Sequence, residues 1–202
     1  MDARRALLTR LFDHAAMFPP ASMSLEDALK EDDRARASQH AWLLGRFVVP
    51  EGVAVDDREL AIVGAGAPST ERQGDAVYVE GETKLRCGGA RIPTVEEVAA
   101  FVRACRARGA RFKATAGLHH AYPTDAGEHG FLNLLAAAAF GDEEAALRAR
   151  RGSFELDEAG FRWGEREADA QQCAELRRTL FHSIGSCSFF EPVGELEELG
   201  LL

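Results

Sequence analysis

Lysine is scarce in this chain: Lys30, Lys84 and Lys113 are the only three among 202 residues, against 21 arginines. Where charge alone matters, coding bias lets surface lysine drift to arginine, so the lysines that remain mark positions where an amine is wanted as such. Cysteine is sparse too. Cys87, Cys105, Cys173 and Cys187 show no C-x-x-C or paired spacing, which excludes a zinc-thiolate site and reads as small buried hydrophobes in a reducing cytoplasm. No run approaches the ~18 apolar residues of a membrane span. Asp2, Arg4, Arg5 and Arg10 interrupt the stretch from Met1 to Pro20, so neither a signal peptide nor an anchor is expected. Basic residues number 24 against 33 acidic ones, a net charge of −9 that argues against nucleic acid or an anionic membrane as partner. Any cationic site must therefore be local.

What is present is ordinary globular usage, 46% hydrophobic and 28% charged, without a composition break or repeat. Residues 1–202 are expected to form a single α/β-barrel-like domain. Helical spacing places Leu7, Leu8, Leu11 and Phe12 on one face of a first helix over residues 3–12, closed by Asp13-His14 and Phe18-Pro19-Pro20. Ser24 opens a second helix through the charged stretch to about Gln39. The apolar runs 41–50 (AWLLGRFVVP), 60–66 (LAIVGAG) and 76–80 (AVYVE) read as strands covered on both faces. TKLRCGG (83–89) is a strand, Pro93-Thr94 starts a helix stopped by Gly109, and RFKATAG (111–117) is a strand, which makes a βαβ crossover with parallel strands. GFLNLLAAAAF is a buried helix and DEEAALRARR an amphipathic one. SFELDEAGFRWGE is a hairpin or irregular insert, EADAQQCAELRRTLF a helix, SIGSCSFF (183–190) a last strand, and the stretch from Pro192 a last helix.

The class is α/β, and side-chain parity selects a small or degenerate (β/α) TIM-like barrel over an open doubly wound sheet. In TKLRCGG one face carries Lys84, Arg86 and Gly88, the other Leu85 and Cys87; in RFKATAG, Lys113, Thr115, Gly117 and then His119 oppose Phe112, Ala114 and Ala116. The apolar faces must meet helices, so both strands aim cations the other way. A sheet covered on both sides would bury those charges unpaired at several kcal/mol each. A barrel open to a ligand does not.

The cationic mouth suits a small anionic metabolite. Arg86 can clamp a carboxylate or phosphate, the Gly88 and Gly89 amides can donate to it, and Thr115, Ser186 and Ser188 point inward by parity. Burial and neighbouring cations favour the neutral amine of Lys84 or Lys113, which opens Schiff-base chemistry on an aldehyde or ketone. Proton transfer then falls to His119 or His120, or to Glu80 and Glu191 near other strand ends. Cys187 is expected to face the helices, and His40 and His182 to be structural. His14 is expected to cap a helix end, with contact to the same pocket as the alternative.

His119, His120 and His129 invite a metal-dependent hydrolase or isomerase as an alternative, but their spacing matches no metal motif, so no metal or other cofactor is expected. A non-catalytic anion-binding barrel is the third reading. Composition leaves self-association into a homo-oligomer open.

The segments FDHAAMFPPA, LGRFVVP, KLRCGG, FKATAGLHH, HGFLNLL and GSCSFFEPVGELEELGLL resemble an uncharacterised bacterial family of hypothetical proteins, a likeness that spans most of the chain and implies no activity. The chain is short for that family between LGRFVVP and AVYVE, which implies a reduced strand-helix repeat there. FKATAG is similar to the lysine-bearing strands of deoxyribose-phosphate-type class I aldolases, which implies a lyase. KLRCGG is similar to the K-x-K/R strand of the enolase superfamily, but RFKATAG carries none of the metal carboxylates that superfamily places on later strands.

Overall fold

The computed structural model describes residues 2–202. Along the chain, α1 (Ala3–Leu8) leads into β1 (Phe12–His14), and α2 (Leu25–Ala37) with a one-turn 3-10 segment (Ala41–Leu43) precedes β2 (Leu44–Pro50). Three strands follow without helices: β3 (Leu60–Gly64), β4 (Thr70–Gln73) and β5 (Ala76–Val79). The crossover unit is β6 (Lys84–Arg86), α3 (Val95–Arg108) and β7 (Phe112–Thr115). Then come α4 (Phe131–Phe140), α5 (Glu143–Leu147), β8 (Phe154–Leu156), β9 (Gly160–Trp163), β10 (Arg166–Asp169), α6 (Ala170–Thr179), β11 (Phe181–Ser186) and α7 (Phe190–Glu198).

Local chemistry sets most of these boundaries. The Ser24 side chain caps α2 by accepting from the Asp27 amide, and Thr94 with Glu97 forms a reciprocal capping box at the start of α3. Gly109 ends α3 in a left-handed conformation (φ 61°) open to glycine at little cost. α4 is apolar nearly all round and is buried accordingly. Its one polar side chain, Asn133, donates to the carbonyls of Ala146 and Ala149, each at 2.8 Å, and so ties α4 to the end of α5.

Eight strands form one sheet in the order β5-β4-β3-β2-β1-β11-β7-β6, and β8 to β10 form a separate antiparallel sheet of three. Every pair from β3 across to β6 is parallel, while β3·β4 and β4·β5 are antiparallel. In a flat sheet β4 and β7, five positions apart, would be separated by roughly 24 Å. Instead Glu71 on β4 bonds Lys113 on β7 and lies 3.6 Å from Lys84 on β6. The sheet therefore curls until its two ends nearly meet, and a parallel bridge from Glu80, just beyond β5, to Lys84 spans the seam. The result is a mixed α/β architecture with a nearly closed, mostly parallel, barrel-like sheet flanked by helices.

Helix-facing residues carry the core. Phe112 stacks edge-on against Phe181 with ring centroids 5.1 Å apart, and Phe12 against Phe131 at 5.4 Å. Leu85, Cys87, Phe112 and Ala114 all join this core, so β6 and β7 turn Lys84 and Lys113 into the barrel as parity requires. All four cysteines are free and buried.

Several expectations need correction. The first helix stops at Leu8, because Arg10 adopts a left-handed backbone (φ 53°) that swings residues 12–14 into the sheet as β1. β4 has no counterpart in the sequence reading. The run 41–50 begins as a 3-10 turn, and 183–190 divides between the end of β11 and the start of α7. Only residues 143–147 of DEEAALRARR are helical. Of the two readings of SFELDEAGFRWGE the hairpin holds: it is the β8–β9 pair, extended by β10.

Candidate functional site

A closed ion cluster occupies the middle of the barrel. Asp13 on β1, Glu71 and Gln73 on β4, and Lys84 and Lys113 on β6 and β7 are all buried. Lys113, which is 0% exposed, donates to Asp13 Oδ2 at 3.0 Å and to Glu71 Oε1. The Gln73 amide donates to the same two carboxylates, at 2.9 and 2.8 Å, and Ser183 donates to Asp13 Oδ2 at 2.6 Å. Strand irregularities flank both ionic residues. β2 places Gly45 and Arg46 opposite the single Asp13, and β11 places His182 and Ser183 opposite the single Lys113. The first bulge frees the Arg46 amide to donate to Asp13 Oδ1 at 2.8 Å. It also puts a glycine where any Cβ would lie 2.3 Å from that oxygen.

Burial works to raise the Asp13 pKa, but the Lys113 ammonium, the Arg46 amide and the Ser183 hydroxyl outweigh it and hold the pKa at about 2. Burial likewise opposes the charged form of Lys113, yet Asp13 and Glu71 prevail and raise its pKa. Lys113 is therefore a held ammonium, and the neutral-amine role expected of either lysine does not suit it. The compensating charge that the sequence reading assigned to a ligand comes, for Lys113, from the protein's own carboxylates.

Lys84 differs. Burial lowers its pKa, aided by the Lys113 and Arg86 charges against the opposing pull of Glu71. Its Nζ donates to Ser69 Oγ at 3.0 Å and sits 3.6 Å from Glu71 Oε2. It also lines a cavity of about 490 Å³ at the C-terminal ends of the parallel strands, walled by Phe18, Pro19, Val48 and Val63 as well as polar groups. Arg86, Gly88, Gly89, Thr115 and His119 line the same cavity, whereas Lys113 does not. Arg86 is half-exposed, with Nε 3.4 Å from Glu80.

Gly88 is demanded by geometry, because a Cβ there would lie 2.8 Å from Gly117 Cα and 3.2 Å from Gly117 N, both unyielding backbone. Gly88→Ala should cost about 1–2 kcal/mol in urea unfolding by forcing the β6 and β7 exits apart. An unchanged midpoint would show that the two loops separate freely.

The remaining expected residues disperse. Ser186 donates to the Ser188 carbonyl at 2.6 Å and Ser188 Oγ accepts from the Glu191 amide, so both hydroxyls serve the turn after β11 and neither lines the cavity. Cys187 does line it, contrary to expectation, because the chain leaves the strand at Ser186 and alternation ends there. Its Sγ lies 3.8 and 3.9 Å from the two His119 ring nitrogens, and burial raises its thiol pKa. His119 Nδ1 is 3.2 Å from Glu191, which is itself exposed.

His120 bonds Glu195 at 2.6 Å, a contact that raises its pKa, and His129 Nε2 bonds the Pro93 carbonyl at 2.8 Å. The three histidines of the metal reading thus serve different partners, and no cluster of metal-ligating side chains occurs among the described residues. His14 lies on β1 between Glu31 and Asp32, 3.4 and 3.3 Å away, where it clamps α2 to the sheet instead of capping a helix. His40 bonds Glu197 at 2.8 Å. His182 stacks on Tyr78, with its Nε2 2.6 Å from Gln73 Oε1.

Sequence reasoning missed Asp13 as an interior residue and Glu71 and Gln73 altogether. Their strands are three and four residues long, too short to show a period. No family model matches the chain, and no curated protein or solved structure matches it either.

Proposed function

We propose that the sheet is a small, degenerate TIM-like barrel whose mouth takes a small carboxylated or phosphorylated carbonyl compound, and that Lys84 forms a Schiff base with it in lyase chemistry of the aldolase kind. One observation carries this reading. Lys84 is the lysine that both faces the cavity and has its pKa lowered by burial, and the carboxylate beside it, Glu71, is anchored from behind by Lys113.

In this scheme the neutral amine adds to the carbonyl carbon. The carbonyl oxygen departs as water, carrying one proton from the amine and one from a general acid, for which His119 at the cavity wall is placed. The nitrogen keeps its other proton and becomes a cationic iminium facing Glu71. With Lys84 neutral, Asp13 and Glu71 oppose one ammonium, so the interior gains from the new positive charge. His119, having given up its proton, takes the proton of a hydroxyl on the β carbon. The Cα–Cβ bond breaks, the β carbon leaves as an aldehyde, and the electron pair passes into the iminium to give an enamine. The enamine takes a proton back at the α carbon and is hydrolysed by water to free the Lys84 amine. Arg86 and the Gly88 and Gly89 amides would hold the substrate's anionic group.

Borohydride reduction with a panel of keto acids and sugar phosphates should leave a stable mass addition at Lys84, absent in Lys84→Met. Lys84→Met is expected to fold, since Lys113 still separates the carboxylates. Failure of every compound to give an adduct would count against the lyase. The bonds of Lys84 to Ser69 and Glu71 favour the second reading, a non-catalytic anion-binding barrel; saturable binding without an adduct would select it.

A further inference from the structure

At the opposite end of the barrel, where the parallel strands begin, lies a second cleft of about 370 Å³. Five arginines line it: Arg10 before β1, Arg46 in β2, Arg111 before β7, and Arg177 and Arg178 at the end of α6. For a chain of net charge −9 this is a local reversal of sign.

Much of that charge is already engaged. Glu59 holds Arg10, with contacts of 2.7 and 3.1 Å, and lies 3.6 Å from Arg46; Glu175 holds Arg178. Arg177 donates to the backbone carbonyls of Leu7, Phe181 and His182. Asp13 also borders the cleft, but its carboxylate is committed to Lys113, Gln73 and Ser183. Arg111 remains. It forms no ion pair among the described residues, and its buried Nε has no hydrogen-bond partner. Beside it, His182 Nδ1 is buried and also without a partner. The Gln73 oxygen accepts from His182 Nε2, since the Gln73 amide nitrogen is already spent on Asp13 and Glu71, so the Nδ1 of the neutral ring offers a lone pair.

We infer that this cleft is a second ligand site, distinct from the Lys84 cavity, and that it binds a phosphoryl group. The phosphoryl oxygens meet the Arg111 fork and the surplus cationic field, and a monoprotonated phosphoryl group also presents a hydroxyl to His182 Nδ1. Sulfate offers the oxygens without that hydroxyl, which a phosphomonoester keeps at and below its second pKa of about 6, so the comparison is made at about pH 6. Burial and the Arg111 charge push the His182 pKa down to about 3, which keeps the ring an acceptor. The inference does not depend on Schiff-base chemistry at Lys84.

Isothermal titration of the intact protein with inorganic phosphate, a simple phosphomonoester and sulfate at matched ionic strength tests it. Saturable binding of phosphate or the monoester is expected, weaker for sulfate; the tighter of the first two tells whether the free ion or a phosphorylated metabolite is the natural occupant. Measured in an Arg86→Gln background, which removes the anion clamp proposed at the Lys84 mouth, Arg111→Gln should weaken binding roughly tenfold or more, while Lys30→Met, on the exposed face of α2, should leave it unchanged. Should Arg111→Gln not fold, the wild-type preference for phosphate over sulfate still decides. Equal affinity for sulfate, no saturable binding of either phosphoryl compound, or binding that survives Arg111→Gln would overturn the assignment.

Discussion

Lys113→Met should lower the unfolding free energy by about 3–5 kcal/mol, the largest effect of any substitution considered, because it leaves two buried carboxylates facing each other without an ammonium between them. Lys113 is 0% exposed and is the direct ion-pair partner of both Asp13 and Glu71, so no water can replace it without opening the barrel. Urea unfolding measures this. The surface pair of Lys30 with Glu26 supplies the control: Lys30→Met should leave the midpoint unchanged, since exposed pairs are screened by solvent. Pairing Lys113→Met with Glu71→Gln should recover part of the loss by removing the repulsion. If Lys113→Met proved as benign as Lys30→Met, the central cluster would not be ionic.

The second large effect is a loss of stability in acid traceable to Asp13. Its pKa falls from 3.8 to about 2 on folding, a difference that contributes about 2 kcal/mol. Because the folded value is the lower one, the unfolded chain takes up the proton first as pH drops. The contribution is complete above about pH 4 and disappears as pH falls toward 2. Unfolding free energies measured across that window should decline more steeply for the wild type than for Asp13→Asn, whose stability should already be reduced at neutral pH. Parallel curves would mean that Asp13 titrates normally. Lys113 has the opposite sign: its raised pKa stabilises the fold below the unfolded value and ceases to do so as pH rises through the folded one.

These two expectations centre on a cluster that was only half legible in the sequence. Alternation in TKLRCGG and RFKATAG turned Lys84 and Lys113 away from the helices, and the register pairs them directly across β6 and β7. The same alternation pointed to Arg86 and Thr115, both of which line the cavity. It failed at Cys187 and Ser188, beyond the end of the strand where period 2 no longer applies, and at Ser186, the last residue of β11, whose hydroxyl turns to the Ser188 carbonyl.

Asp13 followed a helical run and looked like its terminus, while Glu71 lay in a polar stretch with no hydrophobic pattern at all. Both strands exist because of their neighbours. β1 is pinned between β2 and β11, and β4 folds back antiparallel on β3.

By itself, then, the sequence determined the α/β class, the α3 crossover with its Pro93-Thr94 start and glycine stop, the buried α4, and the inward aim of two lysines. Each of these depends on residues within a few turns of one another, where side-chain period and capping chemistry act. Only the tertiary structure decided that the sheet curls, that Asp13 and Glu71 neutralise Lys113 and leave Lys84 to the cavity, and that arginines from four separate segments converge at the other end. Those contacts join residues 100 positions apart for Lys113 and Asp13, and further still for the arginines, and the attraction of opposite charges in a dry interior depends on distance in space, which no local pattern encodes.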